Sequence, residues 1–482
     1  MIYSHPLANY LVIVLPLITA VFLAFQQDYG RAVKINIFSS AIGLLLAAIL
    51  LFSPHSSDSF VFTDDFNIIF VMITALMGLT TSIYSVKYIE HEMEVGRLSF
   101  PNVRFYHATF QLMIFAMNLA FLASNIGLMW VAIEVATLST VLMVGLYRTN
   151  ESLEAAWKYF ILGSVGIALA LFGTILIYTA AEPIIGEGYN SMVWPSLMKS
   201  AAQFNPRLLN IAFVFIILGY GTKVGLVPMH AWLPDAHAEG PTPISAVLSG
   251  LLLNVALYAV LRFKMLLAVN IEAIAPGPIM IVFGLVSIIF ASLMLYRRDD
   301  VKRLFAFSSI EHMGLMVFAF GIGGPAANFG GLLHMVMHSV TKSAIFFSVG
   351  HISQIKGTQR IDEIRGITSS QPMLGWGLVA GAIAIIGLPP FGLFLSEFII
   401  LTAAYARHPF LALMGGVGLL LAFGAILLRV THMAFGEPTA NIATINTSQV
   451  PLFLHLLIAL MAGLYLPPHL VSWFQNIAHQ LG

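Results

Sequence analysis

The seventh long apolar run of the chain reads LLNIAFVFIILGYGTKVGLVPM over residues 208–229. It is long enough to cross a membrane as a helix, which takes about 20 apolar residues. The run nevertheless contains Lys223 among glycines and ends beside Pro228. Proline removes a backbone donor and clashes with the preceding turn. This stretch therefore predicts a membrane helix that is interrupted next to a buried charge.

The composition places the rest of the chain in a membrane as well. Of its 482 residues, 59% are hydrophobic and 9% are charged, whereas roughly 25% of a soluble domain is charged. Lysine and arginine number 22, as do aspartate and glutamate, so no net positive field exists to hold nucleic acid. The chain has no cysteine, which excludes disulfides and thiolate-held zinc or iron–sulfur clusters.

Apolar runs of similar length recur along the whole chain, and they predict about fourteen membrane helices. The segments between them are too short for a separate domain. Because backbone groups in lipid must be satisfied within the span, we expect residues 1–482 to form one all-α, polytopic integral membrane domain. The predicted spans are 7–26, 34–53, 66–86, 107–126, 128–147, 156–180, 208–229, 243–267, 276–296, 302–323, 325–350, 373–404, 410–433 and 451–468.

The basic residues between the spans predict the orientation. Most of them follow odd-numbered spans, as Arg297 and Arg298 do. Cytoplasmic loops collect lysine and arginine, so we expect both termini to lie outside the cytoplasm. The first basic residue, Arg31, follows the first apolar run, which is the reverse of a signal peptide. We therefore expect a multi-pass protein of the inner (cytoplasmic) membrane.

Several charged residues lie inside the predicted spans. Each charge at a bilayer centre costs roughly 2.5–3.5 kcal/mol on insertion scales. Their total cost, on the order of 10 kcal/mol or more, is comparable with the net stability of a whole domain. We therefore expect a function to retain them. These residues are Glu134, Lys223, Glu311, Lys342 and Glu397.

A second span carries the same kind of interruption as the seventh. The twelfth span reads GLPPFG over residues 387–392, shortly before Glu397. Interrupted spans at matching places in two halves point to an inverted repeat around an ion site. We predict two inverted five-helix repeats, 107–267 and 276–433, in which Lys223 corresponds to Glu397.

The eleventh span carries His334, His338 and Lys342 at intervals of four residues, which places them on one helix face. Imidazole can accept a proton on one nitrogen and release one from the other near neutral pH, so this face is a candidate proton relay. Two alternatives stay open for the histidines. They could only form hydrogen bonds between helices, or they could ligate a haem or a metal ion.

Lys223 is a candidate switch. Burial disfavours a charged lysine, whereas a neighbouring carboxylate favours it, and Glu134 of the fifth span is the acid that we expect beside it. A static structural ion pair is the alternative. The chain contains no phosphate-binding loop, nucleophile elbow or dinucleotide fingerprint. We therefore expect no catalytic centre and no cofactor in this chain.

Two further stretches resemble a known family. Residues 227–246 read VPMHAWLPDAHAEGPTPISA, which resembles the antiporter-like, proton-conducting membrane subunits of respiratory complex I, of multisubunit cation/proton antiporters and of group 4 membrane-bound hydrogenases. Residues 302–314 read KRLFAFSSIEHMG and are most similar to the hydrogenase-4 F-type component. The resemblance covers nearly the whole chain.

The resemblance implies a proton-translocating membrane subunit of a redox-driven complex, of the membrane-bound nickel–iron hydrogenase or formate hydrogenlyase type. Iron–sulfur and nickel–iron centres are then expected in partner chains. Asn254 stands where complex I relatives usually place a lysine, so the path here would run through water or the histidines. The implied proton-relay residues are Glu134, Lys223, His338, Lys342 and Glu397. From the sequence itself we add His334, on the same helix face as His338, and we expect Glu311 and His312 near the same axis.

Other functions stay open at this point. Within the family, the chain could belong to a complex I-like NADH:quinone oxidoreductase or to a multisubunit sodium/proton antiporter. Outside it, the histidines of the eleventh span could serve a haem-bearing membrane quinone reductase. A structural membrane subunit that no longer conducts is a further alternative, because Asn254 cannot titrate.

Overall fold

The computed structural model describes residues 6–440, 445 and 448–482. Within these ranges the chain is helical apart from turns and isolated β-bridges, so the expected all-α fold is confirmed. The α-helices, numbered in chain order, are α1 (Pro6–Phe25), α2 (Tyr29–Leu51), α3 (Asp65–Glu94), α4 (Phe100–Leu122), α5 (Ile126–Val144), α6 (Asn150–Ile185), α7 (Trp194–Ser200), α8 (Pro206–Val224), α9 (Trp232–Glu239), α10 (Thr242–Val247), α11 (Leu253–Val269), α12 (Gly277–Leu295), α13 (Val301–Ile322), α14 (Gly324–Lys356), α15 (Ile367–Ser370), α16 (Pro372–Ile385), α17 (Gly392–Arg407), α18 (Pro409–Ala434), α19 (Val450–Leu464) and α20 (Pro468–Gln480).

Twelve of the described helical segments are long and apolar enough to cross a membrane, which confirms a polytopic membrane protein. Two predicted spans are divided. The span predicted at 373–404 becomes α16 and α17, of 14 and 16 residues, each shorter than the roughly 20 residues that a crossing takes. The span predicted at 451–468 becomes α19, followed by α20 at an angle of 83°.

The helices differ in how much the rest of the chain covers them. The apolar part of the segment Thr242–Val269 is completely buried, and that of α13 and of α14 is 94% buried, whereas only 33% is buried in α2 and α18. Polar side chains on the central helices are therefore shielded from lipid. This position removes much of the cost of placing ionisable groups at membrane depth.

Two helix pairs approach each other closely through glycines. A Cβ atom on Gly219 of α8 would lie 2.6 Å from the carbonyl oxygen of Gly166 in α6. A Cβ atom on Gly284 of α12 would lie 2.6 Å from the backbone nitrogen of Phe318 in α13. Small residues allow this kind of close packing between membrane helices. The helix that carries Lys223, α8, therefore packs closely on α6. The helix that carries Glu311, α13, packs equally closely on α12.

Both interruptions that the sequence predicts are confirmed. The helix α8 ends at Val224, and Gly225 follows with φ of 82°, in the left-handed region that favours glycine. The helix α16 ends at Ile385 and α17 begins at Gly392. Between them Gly387 has φ of 67°. Each break lies beside one of the charges that the sequence places inside a span.

A buried ion pair fastens α11 to the start of α3. The guanidinium of Arg262 donates to both carboxylate oxygens of Asp64, at 2.7 and 2.8 Å. The Arg262 side chain is 3% exposed and that of Asp64 16%. Removing one partner of a buried pair costs about 3 kcal/mol or more. We therefore expect Asp64→Asn to lower the thermal unfolding midpoint of the detergent-solubilised protein.

Asparagine is the chosen replacement because Asp64 also caps α3 by accepting the backbone N–H of Asn67, and asparagine can keep that cap. The matched control is Asp362→Asn, since Asp362 forms an exposed ion pair with Arg360 and exposed pairs contribute little. Equal unfolding midpoints for the two variants would contradict a stabilising role of the Arg262 pair.

Candidate proton pathway

The predicted pair of Lys223 and Glu134 forms in the structure. The Lys223 side chain lies at the end of α8, just before the break, and is 1% exposed. Its ammonium nitrogen is 3.5 Å from a carboxylate oxygen of Glu134 in α5 and donates a hydrogen bond of 2.7 Å to the hydroxyl of Thr137, one turn further along that helix. The ammonium therefore lies between a neutral acceptor and an acidic one.

Gly163 of α6 provides the space for the Lys223 ammonium. A Cβ atom at position 163 would lie 2.9 Å from Lys223 Nζ, closer than such atoms normally approach. The ammonium would have to move relative to both Glu134 and Thr137. The size of residue 163 therefore helps to determine where the charge of Lys223 lies.

The Gly163→Ala variant tests this constraint. We expect proton translocation by the assembled complex to fall roughly ten- to a hundredfold, because displacements of about 1 Å can have effects of that size at a functional site. Proton uptake into vesicles is the measurement. Gly43→Ala in α2 is the matched control, since a Cβ there meets no atom within 4 Å. Normal translocation by Gly163→Ala would contradict the constraint.

Asn254 fastens α11 to α14. Its side-chain amide donates to the hydroxyl of Ser339 at 2.7 Å and to the carbonyl oxygen of Met335 at 3.2 Å. In the described part of the chain its own side-chain oxygen accepts no hydrogen bond. No hydrogen bond or ion pair among the described residues joins Lys223 to the histidines of α14. Any proton transfer between them would have to use water.

The histidines form a cluster across two helices. The ring nitrogens His312 Nδ1, in α13, and His334 Nε2, in α14, are 3.0 Å apart. The ring of His338 lies 5.3 Å from that of His312, between centroids. All three residues are at most 1% exposed. The cluster therefore needs His312 in addition to the helix face that carries His334 and His338.

Lys342 lies on the same face of α14 as His334 and His338, but its ammonium group is bonded elsewhere. Its ammonium nitrogen donates to the carbonyl oxygen of Phe305 in α13, at 2.8 Å, and lies over the Phe305 ring. The acid of α13, Glu311, has a carboxylate oxygen 3.5 Å from His312 Nε2. Glu311 is therefore in contact with the cluster, and Lys342 adjoins it one turn further along α14.

Glu397 joins the cluster from the twelfth span. One carboxylate oxygen of Glu397 and one nitrogen each of His312 and His334 lie within 4.8 Å of one another. The preceding residue, Ser396, is 2.9 Å from His334 through its hydroxyl. A Cβ atom on Gly387 would overlap the Glu397 carboxylate. The break before α17 thus leaves the space that this carboxylate occupies.

The side chains of this cluster show how well it would fit a metal ion or a haem. Two imidazoles and a carboxylate are ligands that a divalent cation accepts, but His312 and His334 hydrogen-bond directly to each other, so a metal would have to replace that bond. The rings of His334 and His338 are nearly parallel, with centroids 6.5 Å apart. They project from one helix face, which does not fit opposite axial ligands of one haem.

A polar cavity of about 600 Å³ opens where α3 and α14 end and α13 begins. Its lining includes Glu92, whose side chain is fully buried and accepts a hydrogen bond of 2.7 Å from Gln354. Lys302 lines the cavity too and donates to the carbonyl oxygens of Ala238 and Gly240. The cavity therefore lies on the side of the protein that carries the loops after odd-numbered spans.

His237 directly precedes Ala238, one of the residues that line the cavity. The residue is fully buried in α9 and stacks on Phe346 of α14, with ring centroids 5.0 Å apart. Among the described residues neither of its ring nitrogens has a hydrogen-bond partner. Phe346 follows Lys342 by one helical turn on α14.

Glu92, Lys302 and His237 do not stand out in the sequence as functional residues. Glu92 lies on the part of α3 that continues beyond the apolar run 66–86, so it resembles a loop residue. His237 lies inside the stretch 227–246 that carries the family resemblance. That stretch is the available signal, but it does not distinguish a buried histidine from an exposed one.

Comparison with known proteins identifies the family. The family model described as NADH:quinone oxidoreductase/Mrp antiporter, TM matches residues 123–423, which is more than half of the chain. The chain belongs to this family. The hydrogenase-4 component F homolog of Methylacidiphilum infernorum (isolate V4) is 57% identical over 465 residues, covering 96% of this chain and 98% of that protein. A Na(+)/H(+) antiporter subunit of Bacillus subtilis (strain 168) is 25% identical, covering 94% and 92%.

Solved structures share the fold of this antiporter-like subunit. A chain of the membrane-bound sulfane sulfur reductase, an archaeal respiratory membrane complex, superposes with a TM-score of 0.87 at 22% identity, covering 98% of this chain and 97% of that one. A chain of respiratory complex I from Thermus thermophilus gives 0.82 at 21% identity, covering 98% and 100%. The expected antiporter-like membrane fold is therefore confirmed.

Proposed function

We propose that this antiporter-like subunit translocates protons as part of a redox-driven membrane complex of the hydrogenase-4 type. The observation that carries the proposal is the convergence of Lys223 with Glu134, and of His312 and His334 with Glu397, inside helices that the chain shields from lipid. The named relative with 57% identity favours the hydrogenase branch. Such groups are expensive at membrane depth and typically serve ion pathways.

The polar cavity is the proposed proton entrance. Glu92 and Lys302 line it, and His237 precedes the lining residue Ala238 and stacks on Phe346 of α14. A neutral imidazole accepts a proton on one nitrogen and releases one from the other, so His237 can pass protons inward toward Lys342. We place this entrance on the cytoplasmic side, with both termini on the opposite side, because the loops after odd-numbered spans collect the basic residues.

The pair of Glu134 and Lys223 is the proposed coupling element. At 3.5 Å and an effective dielectric constant near 20, the attraction between the two charges is about 5 kcal/mol. A partner charge that draws Glu134 away would remove this stabilisation and favour release of the lysine proton. Glu134 is 19% exposed, so a charge on a partner chain can act on it.

The histidine cluster is the proposed relay toward Glu397. The direct contact between His312 and His334 allows a proton to move between the rings without a large rearrangement. Glu397 then receives it through the imidazoles. The unpartnered side-chain oxygen of Asn254 can accept a hydrogen bond from water, which would connect this part of the path with Lys223 without a lysine at position 254.

The redox centres are proposed to lie in partner chains. The chain has no cysteine to hold an iron–sulfur cluster or a nickel–iron centre, whereas a hydrogenase-type complex would contain both. The experiment is purification through a tag on this chain, followed by metal analysis and proton uptake in reconstituted vesicles. Copurifying iron and nickel together with uptake driven by electron transfer would support the proposal. Stable partners without these metals would contradict the hydrogenase assignment.

A sodium/proton antiporter component is the second candidate, favoured by the 25% identity with the Na(+)/H(+) antiporter subunit of Bacillus subtilis. Vesicles that hold the purified complex distinguish the two. Sodium efflux driven by an imposed pH gradient, without an electron donor, would support antiport. Proton uptake that requires electron transfer and is unchanged without sodium would support the redox-driven function.

A further inference from the structure

A groove runs along the membrane-facing surface between α4, α5 and α6. It encloses about 650 Å³ and its walls are mainly apolar. Leu142 is 49% exposed and Trp157 is 59% exposed on this surface. The dimensions and lining suit an extended hydrocarbon chain. Phe105 and Leu138 complete the wall on the sides of α4 and α5.

Two arginines mark one end of the groove. A smaller cavity of about 290 Å³ shares Asn102, Phe105 and Arg148 with it and adds Arg104. Among the described residues neither Arg104 nor Arg148 forms an ion pair or a side-chain hydrogen bond. Arg148 also has φ of 57°, a left-handed conformation that is uncommon for residues other than glycine. Two cationic side chains thus lie unpartnered beside an apolar groove.

The position of the arginines matches a membrane interface. Arg104 lies near the start of α4, and Arg148 lies between the end of α5 and the start of α6. This is the side of the protein that carries the loops rich in basic residues. Tryptophan is enriched at the level of lipid headgroups, and Trp157 lines the groove there. The cytoplasmic leaflet is also the one that exposes anionic headgroups.

We propose that the groove is a binding site for one anionic phospholipid. The phosphate lies between Arg104 and Arg148, where a guanidinium can donate two parallel hydrogen bonds to phosphate oxygens. Asn102 offers a further donor, and one acyl chain fills the groove along Leu142 and Trp157. The groove favours a lipid over free phosphate, because an inorganic ion would leave the apolar walls unoccupied. The site is independent of the proposed proton translocation.

Fluorescence quenching of Trp157 tests the site. The complex, purified with its partner chains, is placed in nanodiscs that contain brominated phosphatidylglycerol or brominated phosphatidylcholine at equal mole fractions. The contribution of Trp157 is the difference between the natural protein and Trp157→Phe. We expect half-maximal quenching of Trp157 at a roughly tenfold lower fraction of phosphatidylglycerol, because both arginines attract its charge.

The double variant Arg104→Gln/Arg148→Gln is expected to lose this preference, whereas Arg104→Lys/Arg148→Lys keeps part of it. Arg297→Gln is the matched control, because Arg297 is exposed on the same side but does not line the groove. Equal quenching by the two lipids, a preference that survives in the double variant, or quenching abolished by millimolar inorganic phosphate would each overturn the proposal. The single variants replace the double one if it does not assemble.

Discussion

Replacing Lys223 with methionine is expected to abolish proton translocation by the assembled complex, with a fall of at least about a hundredfold relative to electron transfer. Methionine keeps the approximate length of the side chain and its apolar part, but it leaves Glu134 without its cation at 3.5 Å. It also has no proton to pass on. Proton uptake per electron transferred in reconstituted vesicles is the measurement.

Two comparisons separate a conducting lysine from a static ion pair. Lys199→Met is the matched control, since Lys199 is an exposed lysine at the end of α7, and it should translocate normally. The double variant Glu134→Gln/Lys223→Met removes both charges and should restore assembly if the single variant is unstable. If the double variant then translocates protons normally, the pair is structural and the proposed switch is wrong.

The local signals in the sequence are sufficient for the first half of the candidate pathway. Lys223 stands out because a charge, glycines and a proline share one apolar run, and such a combination has few structural explanations. Glu134 pairs with it in the prediction because few acids lie within predicted spans. The inverted repeats 107–267 and 276–433, which match Lys223 with Glu397, stay a prediction.

The second half depends on contacts that sequence spacing does not reveal. Helical periodicity places His334, His338 and Lys342 on one face, but it cannot show that His312 of another helix completes the cluster while Lys342 bonds to a backbone carbonyl. The burial of Glu92 cannot be predicted from the sequence for a related reason. Hydropathy detects where a helix is apolar, not where it ends, and α3 continues to Glu94. Tertiary contacts alone identify such a residue as buried.

The number of membrane-spanning helices is likewise not fixed by local sequence signals. Apolar length predicts that residues 373–404 and 451–468 enter the membrane, and both stretches do form apolar helices. The bend of 83° between α19 and α20 comes after the apolar residues end and amphipathic ones begin. Hydropathy averaged over a window of residues does not predict such a change in helix direction.

Glu397→Gln is expected to reduce proton translocation by at least about tenfold while preserving the histidine cluster. Glutamine has nearly the same shape and keeps a polar group within 4.8 Å of His312 and His334, but it cannot take up a proton from them. The fold around Gly387 would be unchanged, because the amide fills the space of the carboxylate. The expected defect is therefore one of proton transfer, with normal assembly and normal electron transfer measured in the same vesicles.

A control variant and a second relay variant test whether the defect of Glu397→Gln arises in the histidine relay. Glu187→Gln changes an acid in an exposed loop and should have no effect, whereas His312→Phe removes the ring nitrogen that contacts His334 at 3.0 Å. If the proton passes through the imidazoles to Glu397, combining His312→Phe with Glu397→Gln should reduce translocation no further than the stronger single variant. Losses that multiply would place the two residues on separate paths, and normal translocation by Glu397→Gln would remove Glu397 from the pathway altogether.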